Sequence, residues 1–359
     1  MIYVILGTKG QFMKMFPIMK LFDQEKVPYR FIHTSQHYGI IEDNRKRLGV
    51  RKPDVYLTGK KKDLRNIGEM LWWIPQVLWN ARKLPITKND YVLTHGDAES
   101  TLLSFLIAKY FGAKQAHVEA GMRSGNYLEP FPEEAIRVFV DRFSDVCFCP
   151  QKEDVKNIHG SATAVVTNGN TVFDSVRLAL EVPPAKEVIK LFNKKYVLFL
   201  IHRKENLFTK NRVVSILDIL ETILKKGYVV VWPMHTNTKY ELQKKGVWER
   251  IESLKKKFPL TISYFLDYID FMHAVKHSAF VASDGGGLQK ETYFMNKPML
   301  ILRMKTEPEP GVGETAFLSM LSAEKVDYFL NNLSTFTRKK APAGSPSKII
   351  ADFFKRHQT

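Results

Sequence analysis

Three carboxylates carry the strongest chemical signal in this sequence. Asp97 and Glu119 close the apolar runs of DYVLTHGD and KQAHVE, and Glu133 begins the amphipathic stretch EEAIRVFVDRFS. Carboxylates held near one another cannot all ionise freely, and such a set can take up and release protons. Glu129 and Glu134 fall in the same segment, HVEAGMRSGNYLEPFPEEAIR, for which a solvated acidic loop is the plain alternative. A second group of residues suits anions. In AFVASDGGGLQKET a strand is expected to end at Asp284, Gly285, Gly286 and Gly287 to turn the backbone, and a helix to start near Leu288. Exposed N–H groups at a helix start, at the positive end of its dipole, suit a phosphate or diphosphate. Glu291, one turn further, is placed to accept from ribose hydroxyls. The plain alternative is a tight turn whose glycines serve positive φ alone. The G-x-G-x-x-G spacing is absent both here and at GTKGQF, so a nicotinamide cofactor is not expected.

Those side chains need a scaffold that gathers them, and the sequence supplies one. Short apolar, β-rich runs (MIYVILG, YRFIHTSQ, DYVLTHG, KQAHVEAG, DVCFCPQ, AVVTNG) alternate with segments of helical periodicity. After Pro183 and Pro184 the pattern resumes with YVLFLIHRKEN, GYVVVWPMH, LTISYFLDY, AFVASDGGG and PMLILRMK. This alternation predicts an α/β protein with two parallel sheets, each covered by helices on both faces. Ligands of such sheets bind beyond the carboxyl ends of the strands. Lys9, His95–Asp97, His117, Glu119, His202, Arg203, His235 and Asp284 all fall there. Lys9, Lys14 and Arg203 could neutralise a nucleotide diphosphate. The economical architecture is two Rossmann-like, doubly wound domains facing a central cleft. The expected boundaries are 1–175, 176–344 and a closing helix at 345–359, capped by Ser345 or Ser347, that returns toward the first domain.

Composition narrows the class. With 359 residues, 45% apolar and 25% charged, the chain is of globular type and long enough for two domains. No apolar run reaches the about 18 residues needed to span a bilayer. The start, MIYVILGTKG, lacks a basic n-region and reads as a first strand, so a cytoplasmic address is expected. Two cysteines, Cys147 and Cys149, share a strand face without a second pair; buried free thiols are expected, and no metal. The net charge of +17 is spread along the chain without a nucleic-acid module, so a nucleic-acid partner is not expected. The segment KKKDLRNIGEMLWWIPQVLWNARK sets Trp72, Trp73 and Trp79 among basic residues. Packing on the sheet or on a partner subunit is the favoured reading, ahead of an interfacial helix on anionic lipid.

Taken in order, GTKGQFMKM, TSQHY, HGDAEST, HVEAGMRSG with PEEAIR, SDVCFCP, GNTVFDS, HRKEN, WPMHTN and SDGGGLQKE resemble the UDP-N-acetylglucosamine 2-epimerases over nearly the whole chain. The resemblance implies a GT-B fold, a UDP-sugar substrate, no cofactor and a homodimer. It implies acid/base roles for Asp97, Glu119 and Glu133, and places His202 against the departing UDP. It places Gly286 at the diphosphate, Glu291 at the ribose hydroxyls and Phe271 near uracil. Lys9, Lys14, Arg137, Arg203, His235 and the neighbouring Gly285 and Gly287 complete the implied binding set. The implied reaction is elimination of UDP to 2-acetamidoglucal and re-addition, giving UDP-ManNAc. Gln36 and His37 resemble the region where non-hydrolysing members bind a second sugar nucleotide. A hydrolysing relative, releasing UDP and ManNAc, is the alternative; a membrane-associated GT-B glycosyltransferase is a more distant one. Three positions depart from the family pattern. Lys9, with Gly10 and Gln11, replaces an arginine followed by Pro-Glu; Gly285 replaces a serine; Pro308 replaces an arginine, with Lys305 nearby. All three touch phosphate binding more than the acids.

Overall fold

The computed structural model describes the chain except residues 60–61, 65–66, 126–131, 191–194, 265, 307–309, 341–343 and 358–359, and the side chain of residue 67. Glu129 and Pro308 lie outside the described residues. The chain divides into two compact units, Met1–Leu178 with Ala343–Thr359, and Ala179–Pro342.

The first unit is built on a parallel sheet of β1 (Ile2–Leu6), β2 (Tyr29–His33), β3 (Val55–Tyr56), β4 (Tyr91–His95), β5 (Lys114–Val118), β6 (Val146–Cys149) and β7 (Thr163–Val166). The spatial order is β3-β2-β1-β4-β5-β6-β7. Strands β1 and β4 are buried at every position, as unbroken apolar runs under helices on both faces must be. The strand order reverses between β1 and β4, where crossovers diverge and leave a crevice at the carboxyl ends. The helix Lys9–Gln24 follows β1 and begins with a reciprocal cap: the Thr8 side chain accepts from Gln11 N–H, and the Gln11 side chain reaches the Thr8 N–H. Gln11 also accepts from Gly7 N–H at 2.9 Å and donates to Thr101 Oγ1 at 2.8 Å. It thereby ties the β1 turn to the helix after β4.

The terminal helix Pro346–Arg356 is capped by Ser345, whose side chain accepts from Lys348 N–H. Its Phe354 is fully buried, packed edge-on against Phe22 and Tyr91 and tilted against Phe148. The tail therefore completes the first unit's core.

The second unit repeats the design with β8 (Tyr196–Leu200), β9 (Val229–Pro233), β10 (Leu260–Ser263), β11 (Val281–Ser283), β12 (Met299–Ile301) and β13 (Ala316–Leu318). Their order is β10-β9-β8-β11-β12-β13, all parallel, with the reversal between β8 and β11. Its core is a continuous apolar cluster that includes Phe199, Trp232, Phe280 and Phe329.

The sequence pattern omits both β3 and β13. Cys147 and Cys149 are buried free thiols on β6, as expected, and burial pushes the Cys149 thiol up to about 12. Trp73 packs on the first sheet and donates its indole N–H to Thr34 O at 2.6 Å. Trp72 and Trp79 remain exposed. No helix among the described residues is long and apolar enough to cross a membrane.

Candidate active site

Each unit places its chemistry at its own switch point. In the first, Gly96 and Asp97 follow β4 and Glu119 follows β5, with His95 registered against Val118 in the ladder. Glu119 is buried and has φ +67, a conformation rare outside glycine. Its Oε2 accepts from Lys14 Nζ at 2.6 Å and lies 3.3 Å from His95 Nε2. Its Oε1 accepts from Asn170 Nδ2 at 2.5 Å. Asp97 is held differently: the Arg137 guanidinium pairs with it through Nη2 and with the buried Glu134 through Nη1 at 2.6 Å. Burial works against the Arg137 charge, but Asp97, Glu119 and Glu134 more than offset it and keep its pKa above the usual value. Glu133 stands at the first position of the helix Glu133–Phe143, and its buried Oε2 has no hydrogen-bond partner among the described residues. Two of the three carboxylates thus have a cation beside them. Lys14 and Arg137 each engage one of them.

Beneath these groups lies a second ionic layer. His117 Nδ1 lies 2.8 Å from Asp141 Oδ1 and its Nε2 lies 2.7 Å from Gly96 O, so each ring nitrogen faces an acceptor. Asp141 also accepts from Gly121 N–H at 3.0 Å and Arg123 Nη1 at 2.5 Å. Burial pushes the Asp141 carboxyl up; His117 and Arg123 more than reverse this and hold it below the usual range. Gly121 (φ +81) has no room for a side chain: a Cβ would sit 2.3 Å from Asp154 O. This layer fixes the loops that carry Asp97 and Glu119.

In the second unit Asp284 follows β11 and is fully buried. It accepts from His202 N–H at 3.0 Å, Arg203 N–H at 3.1 Å and Asn206 Nδ2 at 3.0 Å, and lies 3.2 Å from His202 Nδ1. Burial raises its pKa, and the His202 ring, Asn206 and the Arg203 N–H outweigh that and lower it. His202 itself is half exposed, its ring steered by a buried carboxylate.

The helix begins at Gly286 and runs to Phe294, two residues earlier than the sequence suggested, with Gly285 as its cap. Gly286 and Gly287 therefore belong to the first turn, and none of Gly285, Gly286 and Gly287 has positive φ. Their use is space. A Cβ at Gly285 would lie 3.0 Å from His202 Cε1, while one at Gly287 would meet nothing within 4 Å. Bare backbone N–H groups at a helix start, with no side chain in front, can receive an anion.

Glu291 lies one turn on and faces Tyr268, whose phenol is driven well above its usual pKa by burial first and by Glu291 second. Phe271 is buried in the helix Tyr268–His277. His235 is an exposed cap residue of the helix Thr236–Lys244, and Lys9 is half-buried at the start of its helix.

The structure thus brings Lys14 to Glu119, Arg137 to Asp97, and His202 to Asp284 and Gly285. His95 and His117 were placed at strand ends by the sequence, but Asn170 and the Asp141 and Arg123 partners of His117 escaped it. Asn170 carries no charge and follows a strand end in GNTVFDS, and that position was its only signal.

Two doubly wound parallel units in one chain, each with polar groups at its switch point, define a GT-B-fold enzyme. The family profile described as UDP-N-acetylglucosamine 2-epimerase matches residues 19–355. A UDP-N-acetylglucosamine 2-epimerase of Methanococcus maripaludis is 31% identical over 85% of this chain and 83% of its own length. A UDP-2,3-diacetamido-2,3-dideoxy-D-glucuronate 2-epimerase of Pseudomonas aeruginosa is also 31% identical, over 85% of this chain and 84% of its own. The Methanocaldococcus jannaschii UDP-GlcNAc 2-epimerase, solved with UDP-GlcNAc and UDP, superposes with a TM-score of 0.80 at 25% identity over 99% of both chains. This chain belongs to the UDP-N-acetylglucosamine 2-epimerase family. The fold and family expected from the ordered motifs are those found.

Proposed function

We propose that the chain interconverts UDP-GlcNAc and UDP-ManNAc by elimination and re-addition of UDP, without a redox cofactor. The observation that carries this reading is the Glu119 carboxylate, held at a strand end by Lys14 at 2.6 Å and Asn170 at 2.5 Å. A fixed acceptor of this kind is what removal of a weakly acidic C2 proton requires.

One carboxylate of the set Glu119, Asp97 and Glu133 takes the C2 proton as the C1–O bond breaks. The bonding pair leaves with UDP, and a C1=C2 double bond forms. In the return step a UDP oxygen adds to C1 and C2 is protonated on the opposite face. The helix start at Gly286 and Gly287, with Gly285 before it, receives the diphosphate. His202 stands against the departing UDP. Glu291 holds the ribose and Phe271 backs the uracil. Lys9, Lys14, Arg137, Arg203 and His235 balance the charge of the bound substrate.

The test is product analysis. With UDP-GlcNAc, the expected product is UDP-ManNAc with no free sugar. UDP plus free ManNAc would assign the hydrolysing alternative. Turnover only of the diacetamido-glucuronate nucleotide, the substrate in the Pseudomonas aeruginosa relative's name, would overturn the proposed sugar.

The same reading makes the enzyme a cytoplasmic homodimer. Leu71, Trp72 and Trp79 on the helix Ile67–Ala81, and Tyr110 on the helix Glu99–Phe111, are 66%, 76%, 62% and 65% exposed. Trp79 and Tyr110 flank a groove of about 390 Å³ that is lined mostly by apolar side chains. An apolar face of this kind marks an interaction site. Light scattering should give a dimer that Trp79→Glu converts to monomer. A wild-type monomer that floats with anionic vesicles would assign the face to lipid instead.

A further inference from the structure

Glu119 is constrained from both ends. Its left-handed backbone is held by neighbours on either side: Ala120 N–H donates to Phe148 O at 3.0 Å, and Gly96 N–H donates to Val118 O at 3.0 Å. A strained backbone fixed in this way sets where the side chain leaves the strand. The carboxylate then meets donors from two distant points of the sequence, Lys14 and Asn170, with His95 Nε2 3.3 Å away.

These donors differ in stiffness. Lys14 reaches Glu119 on a long side chain that is a quarter exposed. Asn170 is 8% exposed, and its amide has a second commitment. Its Oδ1 accepts from Val172 N–H at 3.0 Å, so its Nδ2 must face Glu119. Flipping the amide would set oxygen against oxygen and N–H against N–H.

The loop that carries Asn170 is itself braced by the chain's tail. Asp174, one turn on, accepts from Ser347 N–H at 2.9 Å. A Cβ on Gly169 would lie 3.4 Å from Pro346 Cγ, so the tail helix starts directly against this loop.

We infer that Asn170 is a positioning residue for proton transfer: the fixed donor that aims the Glu119 carboxylate, braced from behind by the first turn of the terminal helix. This rests on the proposed role of Glu119 at C2. Lys14 can swing with its surroundings as a substrate arrives. Asn170 cannot, and it keeps one oxygen of Glu119 in place while the other takes the proton.

Two substitutions separate aim from mere support. Asn170→Ala removes the donor and its bond to Val172. It should lower kcat by roughly 10²-fold, the loss typical of a misaimed reacting group, with UDP affinity unchanged. Asn170→Asp keeps the shape and the bond to Val172 but sets a second carboxylate beside Glu119. The pair must then share a proton, and the acid limb of the kcat profile should move up by about one pH unit. Because that variant is isosteric, it carries the test even if the alanine variant is unstable.

The assay is deuterium incorporation at C2 of UDP-GlcNAc across pH, read beside thermal unfolding and UDP titration. If both variants lose only stability, with kcat per folded enzyme and the acid limb unmoved, Asn170 is structural and the inference fails alone. If the wild-type enzyme incorporates no deuterium at C2, the parent reading fails and this inference falls with it.

Discussion

The polar clusters at the two switch points are built by opposite means. In the first unit the chemistry lies in side chains, each pinned by another from far away in sequence: Lys14 and Asn170 on Glu119, Arg137 on Asp97. In the second unit it lies in main chain, a bare helix start at Gly286, with one buried carboxylate, Asp284, gathering the backbone N–H groups of His202 and Arg203. The difference fits the work proposed for each unit. Proton transfer tolerates little error in distance and calls for prebuilt, cross-braced acids. Holding a diphosphate needs many donors and open space, which backbone supplies without side-chain entropy.

The sharpest way to break this contrast is Glu119→Gln. It keeps the shape but removes the proposed base, and should lower turnover by about 10³-fold or more while UDP binding persists. Loss of UDP binding along with unfolding would make Glu119 structural and erase the division of labour.

Next in size is Asp284→Ala. It strands the N–H groups of His202 and Arg203 together with Asn206, and should destabilise the protein by about 3 kcal/mol in urea titrations. The pH dependence has a definite sign. The folded carboxyl of Asp284 lies below its ordinary range. Its stabilisation is therefore complete above about pH 4, where the unfolded carboxyl is ionised, and is lost as pH falls through the lower folded value. Asp284→Asn should flatten that acid limb of the stability curve. An unchanged curve would deny Asp284 its gathering role.

A smaller effect separates folding from binding in the glycine turn. Gly287 lacks positive φ and a Cβ there meets nothing. Gly287→Ala should be neutral or stabilise by about 0.5 kcal/mol, as alanine does in a helix, yet weaken UDP by roughly tenfold. Unchanged UDP affinity in calorimetry would move the diphosphate away from this helix start.

The smallest is Ser345→Ala, which removes the cap on the terminal helix. It should cost about 1 kcal/mol in thermal unfolding. If the tail braces Asn170, that variant should also lower kcat slightly.

The same contrast explains what could be read from the sequence. Backbone features are local, so the SDGGG turn, the strand ends and the doubly wound pattern were all legible. The start of the helix was misplaced by two residues because glycines are poor helix formers and read as turn. They enter the first helical turn because a bare start leaves their N–H groups exposed. Strands β3 and β13 span two and three residues at the sheet edges, too short to show a period. The pinning partners were the least legible. Asn170 lies 51 residues from Glu119 and Lys14 lies 105 away, and only the sheet order brings them together. Arg137 was marked for substrate, while its pairing with Asp97 and Glu134 was not foreseen. Gln11 departs from the family's usual glutamate, yet it caps the first helix and ties the β1 turn to Thr101. That departure keeps the local structure whole.

The most direct measurement is proton NMR of UDP-GlcNAc with the purified enzyme in D2O. UDP-ManNAc should appear with deuterium at C2 of the sugar, and both the epimer and the label should vanish with Glu119→Gln. Epimer formed with the C2 proton retained, or label that persists in the glutamine variant, would contradict the assignment of C2 proton transfer to this carboxylate.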